Sequence, residues 1–141
     1  MPHPMSVRFH SAELLERLKA EASVRKVSSS ALAEELIEEG LRVRRHPLIT
    51  FRDGRSGRRA ALVGGPDVWE VVSGIVGGDV PVEERVPRAV GLFNLSMEQV
   101  DAALGYYASY TDEIDAAIAT NIAEADEAEA HWLKRQRLIA G

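Results

Sequence analysis

At 141 residues the chain holds one ordinary domain or two small ones, and 45% hydrophobic with 28% charged residues is a soluble globular composition, not a disordered one. It contains no cysteine, which excludes a disulfide framework and thiolate chemistry, and its apolar runs are far too short to span a membrane. The net charge of −5 is unevenly spread. Residues 1–47 carry eight Lys/Arg against seven Asp/Glu and residues 48–66 four arginines against one aspartate. Residues 67–129 carry fourteen acids against two arginines, and residues 130–141 three basic residues and no acid. Any phosphate-binding surface is therefore expected in the first half.

Met1-Pro2-His3-Pro4 lacks the apolar core of a signal peptide. It is expected to be an unstructured leader to a cytoplasmic protein, with Met5 as a second possible start. Ser6-Val7-Arg8-Phe9-His10 alternates polar and apolar residues, the period of a strand with one buried face. A lone strand leaves its backbone groups unpaired, and no second strand follows within thirty residues. The economical partner is the same strand of a second copy, giving a two-stranded ribbon with Ser6, Arg8 and His10 on its exposed face. Ser11 caps a first helix over about 12–23, carrying Leu14, Leu15, Leu18 and Ala22. Ser28-Ser29-Ser30 opens a second, with Leu32, Ala33, Leu36, Ile37 and Leu41 in one stripe and His46-Pro47 at its end. Gly40 inside that helix costs roughly 1 kcal/mol against alanine, a cost easiest to understand where two helices cross closely.

Strand, helix, helix in about forty residues resembles the ribbon-helix-helix family of DNA-binding proteins. The likeness rests on Val7-Arg8-Phe9, on the run from Glu13 to Lys19, and on the run from Ser28 to Leu36. It implies an intertwined dimer whose ribbon enters the major groove of operator DNA. Ser6, Arg8 and His10 would read base edges there, while the helix start at Ser28 and Ser29 would hold a phosphate. That family usually has a glycine between its helices; here the turn is Val24-Arg25-Lys26-Val27.

Leu48–Arg52 and Arg58–Val63 read as a hairpin closed by the Gly54-Arg55-Ser56-Gly57 turn, a stretch without the lysine and spacing of a phosphate loop. Asp67 opens a helix whose Val68, Trp69, Val71, Val72, Ile75 and Val76 are apolar nearly all round, expected to be core and to end at Gly77-Gly78-Asp79. Val82–Arg88 allows a short helix. Ser96 and Gln99 form a capping box for another, through Val100, Ala103, Leu104 and Tyr107. Asn94-Leu95-Ser96 also matches a glycosylation sequon, but the cap reading is preferred. Three helices beside a hairpin suggest a winged-helix-like unit.

From Asp112 to Ile139 the helical pattern is nearly unbroken, about 40 Å if fully formed. Ile114, Ile118, Ala125, Ala128, Trp132 and Ile139 share one stripe, interrupted by Asn121 and Gln136. The stripe either folds back on its own domain, pairs with a second copy or awaits a partner in whose groove it would lie. Glu127 and His131, four apart, read as an ordinary solvated pair. With no nucleophile beside a base, no metal cluster and no nucleotide loop, the chain is expected not to be an enzyme and to need no metal or cofactor.

The second half also resembles a small helical domain once catalogued only as of unknown function. The likeness rests on Gly65–Val71, Val82-Glu83-Glu84, Leu95–Leu104, Tyr106-Tyr107-Ala108 and Asp112–Asp115. Members of that family are antitoxins of bacterial toxin–antitoxin pairs whose partner resembles a PIN-type ribonuclease. The two resemblances together are similar to the VapB group of type II antitoxins. They imply a mainly α chain in three parts: a ribbon-helix-helix domain at 5–46, a hairpin with a three-helix winged-helix-like domain at 47–110, and a C-terminal toxin-binding helix at 111–141. Ile118, Ile122, Trp132, Leu133, Arg135 and Arg137 would bind the toxin, an arginine displacing metal from its carboxylates. A free-standing ribbon-helix-helix repressor and an interaction module that never meets DNA are the alternatives.

Overall fold

The computed structural model describes residues 2–55 and 57–141. Ser56, in the expected hairpin turn, and Met1, in the expected leader, lie outside the described residues. Mainly helical, the described residues form six helices and a two-stranded antiparallel hairpin. They divide into two compact units, one ending at Arg45 and one spanning His46–Gly141. None of the described helices is long and apolar enough to cross a membrane.

In the first unit, residues 2–9 form neither helix nor strand. The expected strand over 6–10 is thus not formed, and the sheet among the described residues consists of the hairpin's two strands alone. Helix α1 (Ala12–Arg25) starts as its sequence predicts: Ser11 Oγ accepts the Leu14 N–H at 3.1 Å. It stops because Lys26 turns into the left-handed region (φ 58°), and the Lys26 and Val27 N–H groups fold back on the Ser23 and Ala22 carbonyls. Lys26 therefore takes the backbone position for which glycine is the usual residue. Helix α2 (Ser29–Arg45) opens with Ser28 Oγ accepting the Ala31 N–H at 3.0 Å. The two helices pack on each other but fully bury only Ala22 and Leu32. A Cβ built on Gly40 meets nothing within 4 Å, so α1 does not cross closely there.

In the second unit, β1 (Ile49–Gly54) pairs with β2 (Gly57–Leu62), Ile49 opposite Leu62 and Phe51 opposite Ala60. Side-chain alternation puts those four on one face, which lies on the core. Arg52 donates to the Leu62 and Gly65 carbonyls at 2.9 and 2.6 Å, pinning the chain as it leaves the hairpin. Asp67, buried, accepts from Arg59 Nε at 2.7 Å and from Trp69 Nε1 at 3.2 Å. Helix α3 (Val68–Ser73) buries Val68, Val71 and Val72 and stops at Gly74, earlier than the glycine pair at 77–78 suggested. At Gly74 a Cβ would meet the Phe93 ring at 3.4 Å.

Helix α4 (Val82–Phe93) runs past the expected end at Arg88, with Pro87 inside it. Val86, Ala89, Val90 and Phe93 recur at helical spacing and pack against the core, which holds the helix together across the proline. Its last turn ends at Asn94 in the left-handed region (φ 52°), a conformation asparagine tolerates. Helix α5 (Met97–Ser109) has the predicted capping box, Ser96 Oγ accepting the Gln99 N–H and Gln99 Oε1 the Ser96 N–H. It buries Tyr106 completely, where the stripe had pointed to Tyr107. Tyr106 donates to Glu113 and lies among the rings of His46, Phe51 and Tyr110. Helix α6 (Thr111–Ala140) continues from it for about 45 Å.

Candidate nucleic-acid interface and partner-binding helix

The expected base readers Ser6, Arg8 and His10 are all exposed. Of the two apolar residues between them, Val7 is 60% exposed and Phe9 half-buried. Among the described residues, no backbone hydrogen bond ties 3–9 to another segment. At the expected phosphate clamp, the Ser28 hydroxyl is already used in capping α2. The Ser29 and Ser30 N–H groups stand in the first turn, where a helix leaves amides without internal partners. That turn carries no acid, whereas α1, α3, α4, α5 and α6 all have Asp or Glu in theirs. A helix N-terminus without a carboxylate is the one whose partial positive charge is left for an external anion.

The same unit leaves Leu36, Ile37 and Leu41 of α2 more than half exposed, flanking Gly40 on one face. Val7, Leu14, Val24 and Val27 are also exposed. Two buried side chains cannot offset the ordering entropy of two helices, so a unit of this size needs further apolar contact to stay folded.

In the second unit, α6 has two halves. Ile114 is in the core and Ile118 packs against it. The Asn121 amide donates to the Ala117 carbonyl, so it interrupts the stripe without being left unpaired. From Ile122 to Gly141 every residue is exposed. Of the expected toxin contacts, Ile118 is thus partly taken by the core, while Ile122, Trp132 and Leu133 are free at 56%, 56% and 46% exposure. Arg135 and Arg137 are exposed and form no ion pair among the described residues. Glu124, Glu127, Ala128, Ala130, His131 and Lys134 line an open groove of about 630 Å³ together with Arg55 of the hairpin tip. No three His, Asp or Glu among the described residues are grouped to hold a metal ion. At the root of α6, the Tyr107 hydroxyl donates to Asp115 at 2.7 Å, and this bond to a carboxylate holds the phenol above its ordinary pKa.

Two features were missed in the sequence: the Arg59–Asp67–Trp69 cluster and the burial of Tyr106. The only signals for them were Pro66 before Asp67, a helix-start pattern, and the alternation that turns Arg59 away from Ala60. Compared with family models, curated proteins and solved structures, the chain finds no match in any of the three.

Proposed function

We propose that this chain is a VapB-like antitoxin that represses its own operon by binding operator DNA and neutralises a PIN-like ribonuclease, both in the cytoplasm. The observation that carries the proposal is in the first unit. An alternating segment whose backbone has no partner among the described residues precedes two helices, the second having an uncovered apolar face and an acid-free N-terminus. A second copy would complete all three at once: its segment pairs residues 6–10 into a ribbon, and its α2 covers Leu36, Ile37 and Leu41. The acid-free N-termini then bracket the ribbon for phosphates on either side. In this ribbon-helix-helix dimer Val7 and Phe9 turn inward, and Ser6, Arg8 and His10 face the groove.

In the second unit, the hairpin with α3, α4 and α5 is read as a winged-helix-like platform. The fourteen acids of residues 67–129 disfavour a second DNA contact there, since each phosphate neutralised requires a cation. The exposed half of α6, with Trp132 and two unpaired arginines, has the composition of an interface anchor.

Binding to the chain's own upstream DNA tests the first activity. The logarithm of affinity should fall against the logarithm of salt with a slope of about −0.9 per phosphate contacted. Arg8→Ala should abolish the preference for operator over random DNA; retained preference would refute the reader assignment. For the second activity, deleting residues 130–141 should weaken neutralisation of a co-expressed nuclease and spare operator binding. Purification from the native host should bring down a small nuclease, and recovery of the chain alone favours a free-standing repressor instead.

A further inference from the structure

We propose that the exposed half of α6 pairs antiparallel with the same half of a second copy of this chain. The apolar stripe is a heptad. Ile118, Ala125, Trp132 and Ile139 recur every seven residues, and Ile114, Asn121, Ala128 and Arg135 recur at the same interval between them. A period of seven keeps one seam facing a partner helix along its whole length. Ile114 and Ile118 close the start of that seam onto the unit's own core, whereas from Ala125 to Ile139 it is open.

Charge sets the direction. Glu124, Asp126, Glu127 and Glu129 occupy the first part of the open half, and Lys134, Arg135 and Arg137 the last. A parallel partner would set carboxylates beside carboxylates. An antiparallel one, with its two-fold axis near Ala130, lays each acidic segment along the basic segment of the other copy. That register also places Trp132 over Ala128 of the second copy, twice by symmetry, so each large side chain meets a small one. The Arg135 stem then lies on Ala125 with its guanidinium in reach of Glu124. Charge, size and stem packing are satisfied by a single register. Arg55 of the hairpin tip lines a groove with Glu124, Glu127, Ala128 and His131, so it borders the seam at Ala128, and a second helix seated there lies beside it. This pairing does not depend on the antitoxin reading. It adds a consequence to it: any other occupant of the stripe, a nuclease included, must displace the second copy.

The chain has no cysteine, so single introduced thiols report the pairing in the full-length protein. Glu129→Cys lies beside the axis on the open flank and should form an inter-chain disulfide under mild oxidation. Gln136→Cys, its heptad equivalent, lies away from the axis and should not. Adding Trp132→Ala to Glu129→Cys should raise the concentration needed for half cross-linking at least about tenfold. Adding Glu124→Lys should also lower the yield, and Arg135→Glu on top of it should restore the yield. These positions are exposed, so circular dichroism should be unchanged throughout. Equal cross-linking at 129 and 136 overturns the antiparallel register. No cross-linking of Glu129→Cys at the highest soluble concentration overturns the pairing itself.

Discussion

Replacing Ile114 by alanine removes a side chain that is 3% exposed and packed in the core of the second unit. Such truncations lose the transfer free energy of the deleted atoms and leave a cavity, together about 2–5 kcal/mol. In a unit of about a hundred residues each kcal/mol moves Tm by roughly 4–8 °C, so a loss of about 3 kcal/mol lowers Tm by roughly 12–24 °C. Ile114→Val, at about 1 kcal/mol, should give a graded loss in a variant that certainly folds. Trp132 sits five turns further along the same helix and is 56% exposed, so Trp132→Ala should change stability by no more than about 0.5 kcal/mol. Thermal unfolding followed by tryptophan fluorescence in dilute solution makes the comparison. Trp69, half-buried against the core, supplies the signal for this unit. If Trp132→Ala costs as much as Ile114→Ala under those conditions, the far half of α6 is packed on its own chain. The description of it as a free arm then fails.

Gly40→Ala should raise α2 stability by about 1 kcal/mol in a lone chain, where a Cβ meets nothing, but weaken the first unit if a second copy crosses there. The dimer proposal expects the second outcome, read as the concentration dependence of Tm. Lys26→Gly should stabilise the first unit by about 1 kcal/mol in urea, because glycine adopts φ 58° without the steric cost lysine bears. Tyr107→Phe should remove one late-ionising phenol from an ultraviolet pH titration. The Asp115 bond raises that phenol's pKa in the folded state, so its contribution is complete below the ordinary phenol range and fades as pH climbs through the raised value. If the phenol lost is instead one that ionises in the ordinary range, the Tyr107–Asp115 bond is not made in solution.

The helix starts at Ser11, Ser28 and Ser96 could be read directly, because a cap is a local exchange between a side-chain oxygen and an amide three residues on. Helix ends were less legible. The glycine pair at 77–78 suggested a stop for α3, but Gly74 came first, and α4 ran through Pro87 because the core holds the residues on both sides of it. Tyr106 and Tyr107 are neighbours with nearly equal claims on the apolar face. Which of them is buried depends on where His46, Phe51 and Tyr110 lie, and those come from other elements. The candidate reader residues were legible as an alternation, whereas a strand is defined by its partner, and residues 2–9 have no ladder partner among the described residues.

By itself the sequence determined the order of the helices and the hairpin, the caps at Ser11, Ser28 and Ser96, and the segregation of charge. Each of these is settled by a residue and its near neighbours along the chain. Only the tertiary structure decided that Ile114 and Ile118 are spent on the core while everything beyond Asn121 is exposed, although both halves of α6 carry the same stripe. Periodicity says which side chains share a face; it takes the packing of distant elements to say how far along the helix that face is covered.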